Sequence, residues 1–203
     1  MSARGVILDR DGTLIDFHRD AELGAVVSAF HPDQLRLLPG VVEGLGALGQ
    51  AGFVLAVATN QPGAAKGQVP VRAIERTNRA LVELLAGHGI TITRVAVCLH
   101  HPEGGPGADP TLVRACACRK PAPGLLLDLI GDLDLDPRES WMIGDTAADH
   151  GAGRRAGLST ALVVDTRRCE LCPLKGTELG GGAPDRVAPR FDDLVRGILA
   201  HRP

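Results

Sequence analysis

An α/β fold, a doubly wound parallel sheet with helices on both faces, is what this sequence predicts, and three observations carry the prediction. Short apolar runs alternate with segments of helical periodicity along most of the chain. The runs are apolar throughout rather than at every second position, as strands buried on both faces must be. The motifs able to do chemistry fall at the ends of these runs, where an open parallel sheet gathers its ligands.

The first strand is expected over Val6–Asp9, at the end of the run Gly5-Val6-Ile7-Leu8. Asp16–Pro39 shows no regular pattern and reads as a loop or cap. Helical spacing then marks Val41–Gln50, and Phe53–Thr59 reads as the second strand. A longer helix is expected over Val71–Gly87, with Pro70 just before it and Gly87 and Gly89 marking its end. Val95–Cys98 gives the third strand, and the Gly/Pro-rich His100–Ala115 an irregular loop. Pro123–Asp132, Trp141–Gly144, Thr146–Ala156 and Thr160–Val164 complete the alternation as helix, strand, helix and strand. Cys172–Arg190 is a second Gly/Pro-rich stretch, expected to be mobile. Without a repeat or a convincing linker, residues 1–203 are expected to form one Rossmann-like domain.

Composition excludes several classes of function. An apolar content of 44% argues against wholesale disorder, and no run approaches the length needed to span a membrane. A net charge of −2, aromatics at 2% and the absence of tyrosine speak against nucleic-acid surfaces and base-stacking platforms. Met1–Arg4 leads straight into the first strand and leaves no room for a secretory signal, so a cytoplasmic setting is the expectation. There the five cysteines suit metal binding better than disulfides.

Asp9-Arg10-Asp11-Gly12-Thr13 is the most informative stretch. Two carboxylates at i and i+2 leave a strand on the same side, and Gly12 allows a sharp turn after them. One can serve as nucleophile while the other moves protons, as transfer through an aspartyl phosphate requires; a strand end with solvated acids is the plain alternative. Thr59-Asn60-Gln61 ends the second strand and offers a hydroxyl and backbone amides to an anion. Arg119-Lys120 puts two cations just before a helix start, where a surface basic pair would be ordinary. Gly144-Asp145 closes a later strand; Asp145 could complete a Mg²⁺ site with Asp9, while Asp149, one turn on, is expected just outside the ligand set.

Taken together and in this order, these four motifs resemble the haloacid dehalogenase superfamily of phosphatases, over Val6 to about Val164. The resemblance implies that Asp9 attacks phosphorus, that Asp11 protonates the leaving oxygen and then activates water, and that Thr59 and Lys120 steady the phosphoryl oxygens. It also implies Mg²⁺ held by the Asp9 and Asp145 carboxylates and the Asp11 main-chain carbonyl.

Cys98-Leu99-His100 and Cys116-Ala117-Cys118 present three thiols and an imidazole in two tight pairs around one loop, 98–118. Four N/S ligands fill a tetrahedral Zn²⁺ and leave no open position, so the expected metal is structural. Because Cys118 directly precedes Arg119-Lys120, zinc would pin the segment that carries those cations. The run Cys98-Leu99-His100-His101-Pro102 … Cys116-Ala117-Cys118-Arg119-Lys120-Pro121 resembles the D-glycero-D-manno-heptose 1,7-bisphosphate 7-phosphatases, and the histidinol-phosphate phosphatases share the clasp, typically with a shorter loop. Thr59-Asn60-Gln61-Pro62-Gly63 with Lys66-Gly67 resembles the heptose group as well. The resemblance implies Arg119, Lys66, His18, Asn60 and Gln61 as substrate contacts beside Thr59 and Lys120. It implies a small phosphorylated sugar as partner and a monomer as the working form. Thr146 departs from the group, which usually carries Lys there, and Leu99 replaces a usual Pro. Histidinol phosphate is the alternative substrate, and an inactive zinc-stabilised sugar-phosphate-binding protein is the alternative of another class.

Two further features are assigned no chemistry. Asp132–Asp136 resembles the start of a calcium loop, but Pro137 stands where such a loop needs Gly, so a solvated connection is expected. Cys169 and Cys172 read as free thiols, with a disulfide as the alternative.

Overall fold

The computed structural model describes residues 2–20, 22, 24–165, 179 and 181–200. Cys169 and Cys172, with residues 173–178 and 180 of the expected mobile stretch, lie outside the described residues. A six-stranded parallel sheet organises the chain, in the order β5-β4-β1-β6-β7-β8. Its strands are β1 (Gly5–Leu8), β4 (Val54–Asn60), β5 (Arg94–Cys98), β6 (Trp141–Gly144), β7 (Ser159–Val163) and β8 (Arg186–Ala188). A separate antiparallel hairpin, β2 (His18–Asp20) with β3 (Ala25–Val27), rises from the connection after β1.

Alternation along β1 decides which helix goes where. Val6 and Leu8 face one side, packing with Leu45 of α1 (Val41–Gln50), Leu81 and Leu85 of α2 (Val71–Gly87), and Phe191 and Val195 of α5 (Phe191–Leu199). Ile7 faces the other side, where Leu126 and Leu129 of α3 (Gly124–Asp132) and Ala152 of α4 (Ala147–Arg155) cover the sheet. With both faces covered, all four residues of β1 and all four of β6 are buried, which accounts for their unbroken apolar runs. Among the described residues no helix is long and apolar enough to cross a membrane.

Strand order reverses beside β1. The chain builds outward from β1 through β4 to β5, then returns to lay β6 against the other side of β1. A crevice therefore opens at the carboxyl ends of β1, β4 and β6, the ends that carry Asp9, Thr59 and Asp145.

Three elements correct the sequence expectation. Asp16–Pro39 is more than a loop: it carries the hairpin and a 3-10 turn at Pro32–Gln34, too short and too polar to show periodicity. The last residues of Cys172–Arg190 form the edge strand β8, so that part is ordered by pairing with β7. Helix α5 had no counterpart in the expectation, although Phe191, Leu194, Val195 and Ile198 recur at helical spacing and are all buried. Asp132–Asp136 behaves as expected: α3 ends at Asp132, and Asp136 accepts from the Arg138 amide to start a short turn.

Candidate active site and metal centres

Backbone geometry brings the acids together. Gly12 sits at φ +82°, and a side chain there would place its Cβ 2.2 Å from Asp145 Oδ2, so only glycine lets the loop after β1 pass so close to β6. Gly144 does the same for Asp149, whose Cβ would lie 2.3 Å from an added Cβ. Thr146 caps α4 by accepting from the Asp149 amide, while Asp149 receives both the Thr146 amide and its hydroxyl.

Lys120 is the hub of the site. Its Nζ donates to Asp9 Oδ1 at 2.7 Å, to Asp149 Oδ1 at 2.5 Å and to the Ala58 carbonyl at 2.7 Å, with the side chain almost wholly buried. Asn60 fixes the backbone beneath it, donating to the Lys120 carbonyl and accepting from the Lys120 amide. Asp149, expected just outside the Mg²⁺ ligand set, is the second counter-ion of Lys120. Both its oxygens are engaged, one by Lys120 and the other by Thr146.

Carboxylate oxygens of Asp9, Asp145 and Asp149 all lie within 4.8 Å of one another. Three buried acids face one ammonium, which leaves an excess of negative charge in a poorly solvated place. Burial, set against the neighbouring Lys120, pushes Asp9 from 3.8 up to about 7. Burial and the charges of Asp149 and Asp9 push Asp145 well above the carboxylate range. Burial works against the charge of Lys120 too, but Asp149 and Asp9 outweigh it and hold its ammonium above the usual lysine value. Asp9 Oδ2 and Asp145 Oδ2 take no part in the Lys120 and Thr13 hydrogen bonds, so hard oxygen donors and an unmet negative charge together suit a divalent cation.

A pH dependence follows with a defined sign. Acids raised in the fold bind protons that the unfolded chain has already lost, so the metal-free protein loses stability as pH rises from near 4 through about 7. A cation there needs both carboxylates ionised, and it relieves their repulsion once they are. Addition of excess Mg²⁺ is expected to raise the melting temperature more at about pH 8 than at about pH 5.5. Thermal melts with and without Mg²⁺ check this; an equal or larger shift at the acid end contradicts it.

Asp11 lies deeper. Its Oδ2 accepts from Arg10 Nε at 2.9 Å and Gln61 Nε2 at 2.7 Å, and its Oδ1 from Arg10 Nη2 and the Ala29 amide at 3.2 Å each. Asp9, Asp11, Thr59 and Lys120 line a cavity of about 410 Å³, together with Asn60, Phe17 and Ser28. Thr146, Ala147 and Ala148 at the start of α4 line it as well. Gln61, expected to contact substrate, is fully buried outside that lining and spends its amide on Asp11 and Thr59. Arg119, Lys66 and His18 are not among the lining residues; Arg119 reaches the His100 carbonyl at 3.5 Å.

Cys98, His100, Cys116 and Cys118 form a second cluster, at the end of β5 and in the loop that leads to Lys120. Sulfur–sulfur separations run from 3.3 to 3.6 Å, and His100 Nδ1 lies 3.3 and 3.8 Å from two of the thiols. A tetrahedral ion with ligand bonds of about 2.3 Å needs edges of roughly 3.8 Å, so the four atoms stand close to such a frame and could hold a metal ion. Burial and the neighbouring thiols raise Cys98 and Cys118; Cys116 is least buried and is lowered by its Cys118 and Arg119 contacts.

A family model described as HAD-hydrolase-like matches residues 117–194. A D-glycero-beta-D-manno-heptose-1,7-bisphosphate 7-phosphatase of Pasteurella multocida is 34% identical over 80% of this chain and 82% of its own. One of Yersinia pestis is 31% identical over 98% and 97% respectively. The crystal structure of a D,D-heptose 1,7-bisphosphate phosphatase from B. bronchiseptica, complexed with magnesium and phosphate, superposes with a TM-score of 0.76 at 27% identity, covering 97% of this chain and 98% of that one.

Proposed function

Because the chain belongs to the D-glycero-beta-D-manno-heptose-1,7-bisphosphate 7-phosphatase family, within the haloacid dehalogenase-like hydrolases, we propose that it hydrolyses the 7-phosphate of such a bisphosphate through a phosphoryl group carried on Asp9. One observation carries the reading: Asp9 projects into the cavity from the end of β1 with Lys120 on one of its oxygens at 2.7 Å and Thr59 and Asp11 in the same walls. Each residue then has a task. One carboxylate oxygen of Asp9 attacks phosphorus in line with the leaving sugar oxygen, while the other faces the cation site. Asp11 gives that oxygen its proton as the P–O bond breaks, then takes one from the water that attacks the aspartyl phosphate. Lys120 and Thr59 hold phosphoryl oxygens as charge moves onto them. Asp9 and Asp145, with the Asp11 carbonyl, are the residues to hold Mg²⁺, which when bound offsets the repulsion between carboxylate and phosphate.

Zn²⁺ is the ion proposed for the three thiols and His100, since soft N/S donors without an open position favour it. Its role there is structural: it ties β5 to the segment that delivers Lys120. Arg119, Lys66 and His18 stay in the proposal as contacts for the part of the sugar that extends beyond the cavity. The test is phosphate release, with Mg²⁺, from both anomers of the bisphosphate and from histidinol phosphate. A single phosphate released from the bisphosphate, leaving a 1-phosphate product, is expected, with the beta anomer preferred. Faster release from histidinol phosphate would overturn the substrate assignment.

A further inference from the structure

Arg10 stands between the two acids of the first motif, and a strand end sends it to the opposite side from them. It is the largest fully buried side chain among the described residues. A guanidinium without solvent must have every donor answered, so its partners show what the fold uses it for. Nε and Nη2 fork onto the two oxygens of Asp11 at 2.9 and 3.2 Å. Nη2 also donates to the Ala29 carbonyl at 2.9 Å, just past the β2–β3 hairpin. Nη1 donates to Asn78 Oδ1 at 2.6 Å, on α2. Gln61 completes the cage at a cost: its Nε2 is kept on Asp11 while its Oε1 stays buried with no partner.

We propose that Arg10 is the positioning residue for Asp11, that Asn78 in turn fixes Arg10, and that the pair sets the aim of the acid that protonates the leaving group. This rests on the assignment of Asp11 as acid and base made above. Neither Arg10 nor Asn78 lines the cavity, so neither touches the substrate. Asp11 is within reach of the cavity only as long as its carboxylate plane is set, and four donors from three segments of chain set it: the motif itself, the segment after the hairpin, and the end of β4. Arg10 supplies two of the four. Loss of its anchor on α2 would leave the fork free to turn and Asp11 with it.

The leaving group gives a readout that general loosening of the fold would not. A sugar alkoxide must be protonated as it departs, whereas p-nitrophenolate leaves as the anion, and kcat/KM reports the steps through phosphoryl transfer to Asp9. Asn78→Ala is expected to lower kcat/KM for the sugar phosphate by about tenfold or more, and Arg10→Lys by about a hundredfold, with less than about a threefold loss on p-nitrophenyl phosphate in either case. Asn78→Asp, which keeps an acceptor for Nη1, should restore the sugar-phosphate rate to within about threefold of wild type. Equal losses on both substrates, or no loss in Asn78→Ala, would overturn the proposal. Should Arg10→Lys fail to fold, the Asn78 pair decides alone. A wild-type protein inactive on the heptose bisphosphate would defeat the substrate assignment without touching this one, which is then read on glycerol phosphate, another alkyl ester.

Discussion

Asp9→Asn is expected to lose at least about a thousandfold of the phosphatase activity, a rise near 4 kcal/mol in the barrier. The amide keeps the size and shape of the side chain but carries no negative charge, and its neutral oxygen is too weak a nucleophile to attack phosphorus. It also withdraws one of the two carboxylates that face the proposed cation site. Folding should survive, because burial already pushes Asp9 up to about 7 and its ionisation works against the metal-free fold. The expectation is therefore a folded protein, with a melting temperature no lower than wild type in the absence of Mg²⁺, and no turnover. Retention of more than about a thousandth of the wild-type rate would remove Asp9 from the role of nucleophile.

Lys120→Met is expected to damage both stability and activity, and for separable reasons. Among the described residues the ammonium is the one cation that donates to Asp9 and Asp149, both within 2.7 Å, and its side chain is all but inaccessible to water. Methionine fills the volume but leaves those acids without their counter-charge, a change that typically costs about 3–5 kcal/mol for a buried pair. Adding Asp149→Asn removes one of the stranded charges and should return a good part of that loss. Activity should not return with it, since the contact that steadies the phosphoryl oxygens is still missing; a loss of about 10²–10³ is expected in both variants. Urea unfolding and phosphate release, measured on the single and double variants, separate the two effects. A single variant as stable as wild type would mean that the charges of Asp9 and Asp149 are neutralised in some other way.

Much of this site was legible in the sequence because its chemistry is local. Asp9 and Asp11 announce themselves by spacing alone, Thr59 and Asp145 by ending apolar runs, and the thiol pairs by the loop between them. The helices α1 and α2 begin and end where periodicity and flanking Pro and Gly place them. What stayed hidden depends on contacts between distant parts of the chain. Arg10 lies inside the most conspicuous motif, yet its meaning comes from Asn78, 68 residues away and inside an ordinary amphipathic helix. The sequence puts Asp149 one helical turn beyond Asp145, but helical phase does not show that Gly144 lets it approach Lys120. Gln61, which the resemblance implies as a substrate contact, is buried just past the end of β4 and donates to Asp11 and Thr59. The hairpin strands have three residues each, too few for a period of two to register.

Direct detection of the phosphorylated side chain tests the central claim most closely. Asp11→Asn should still accept a phosphoryl group from p-nitrophenyl phosphate, whose leaving group needs no proton, but should hydrolyse it slowly for want of a base. Acid quenching of that mixture followed by peptide mass spectrometry is expected to find the phosphoryl adduct on Asp9, absent when Asp9→Asn is added. An adduct on a different residue, or none while nitrophenolate is still being released over many turnovers, would contradict covalent transfer through Asp9.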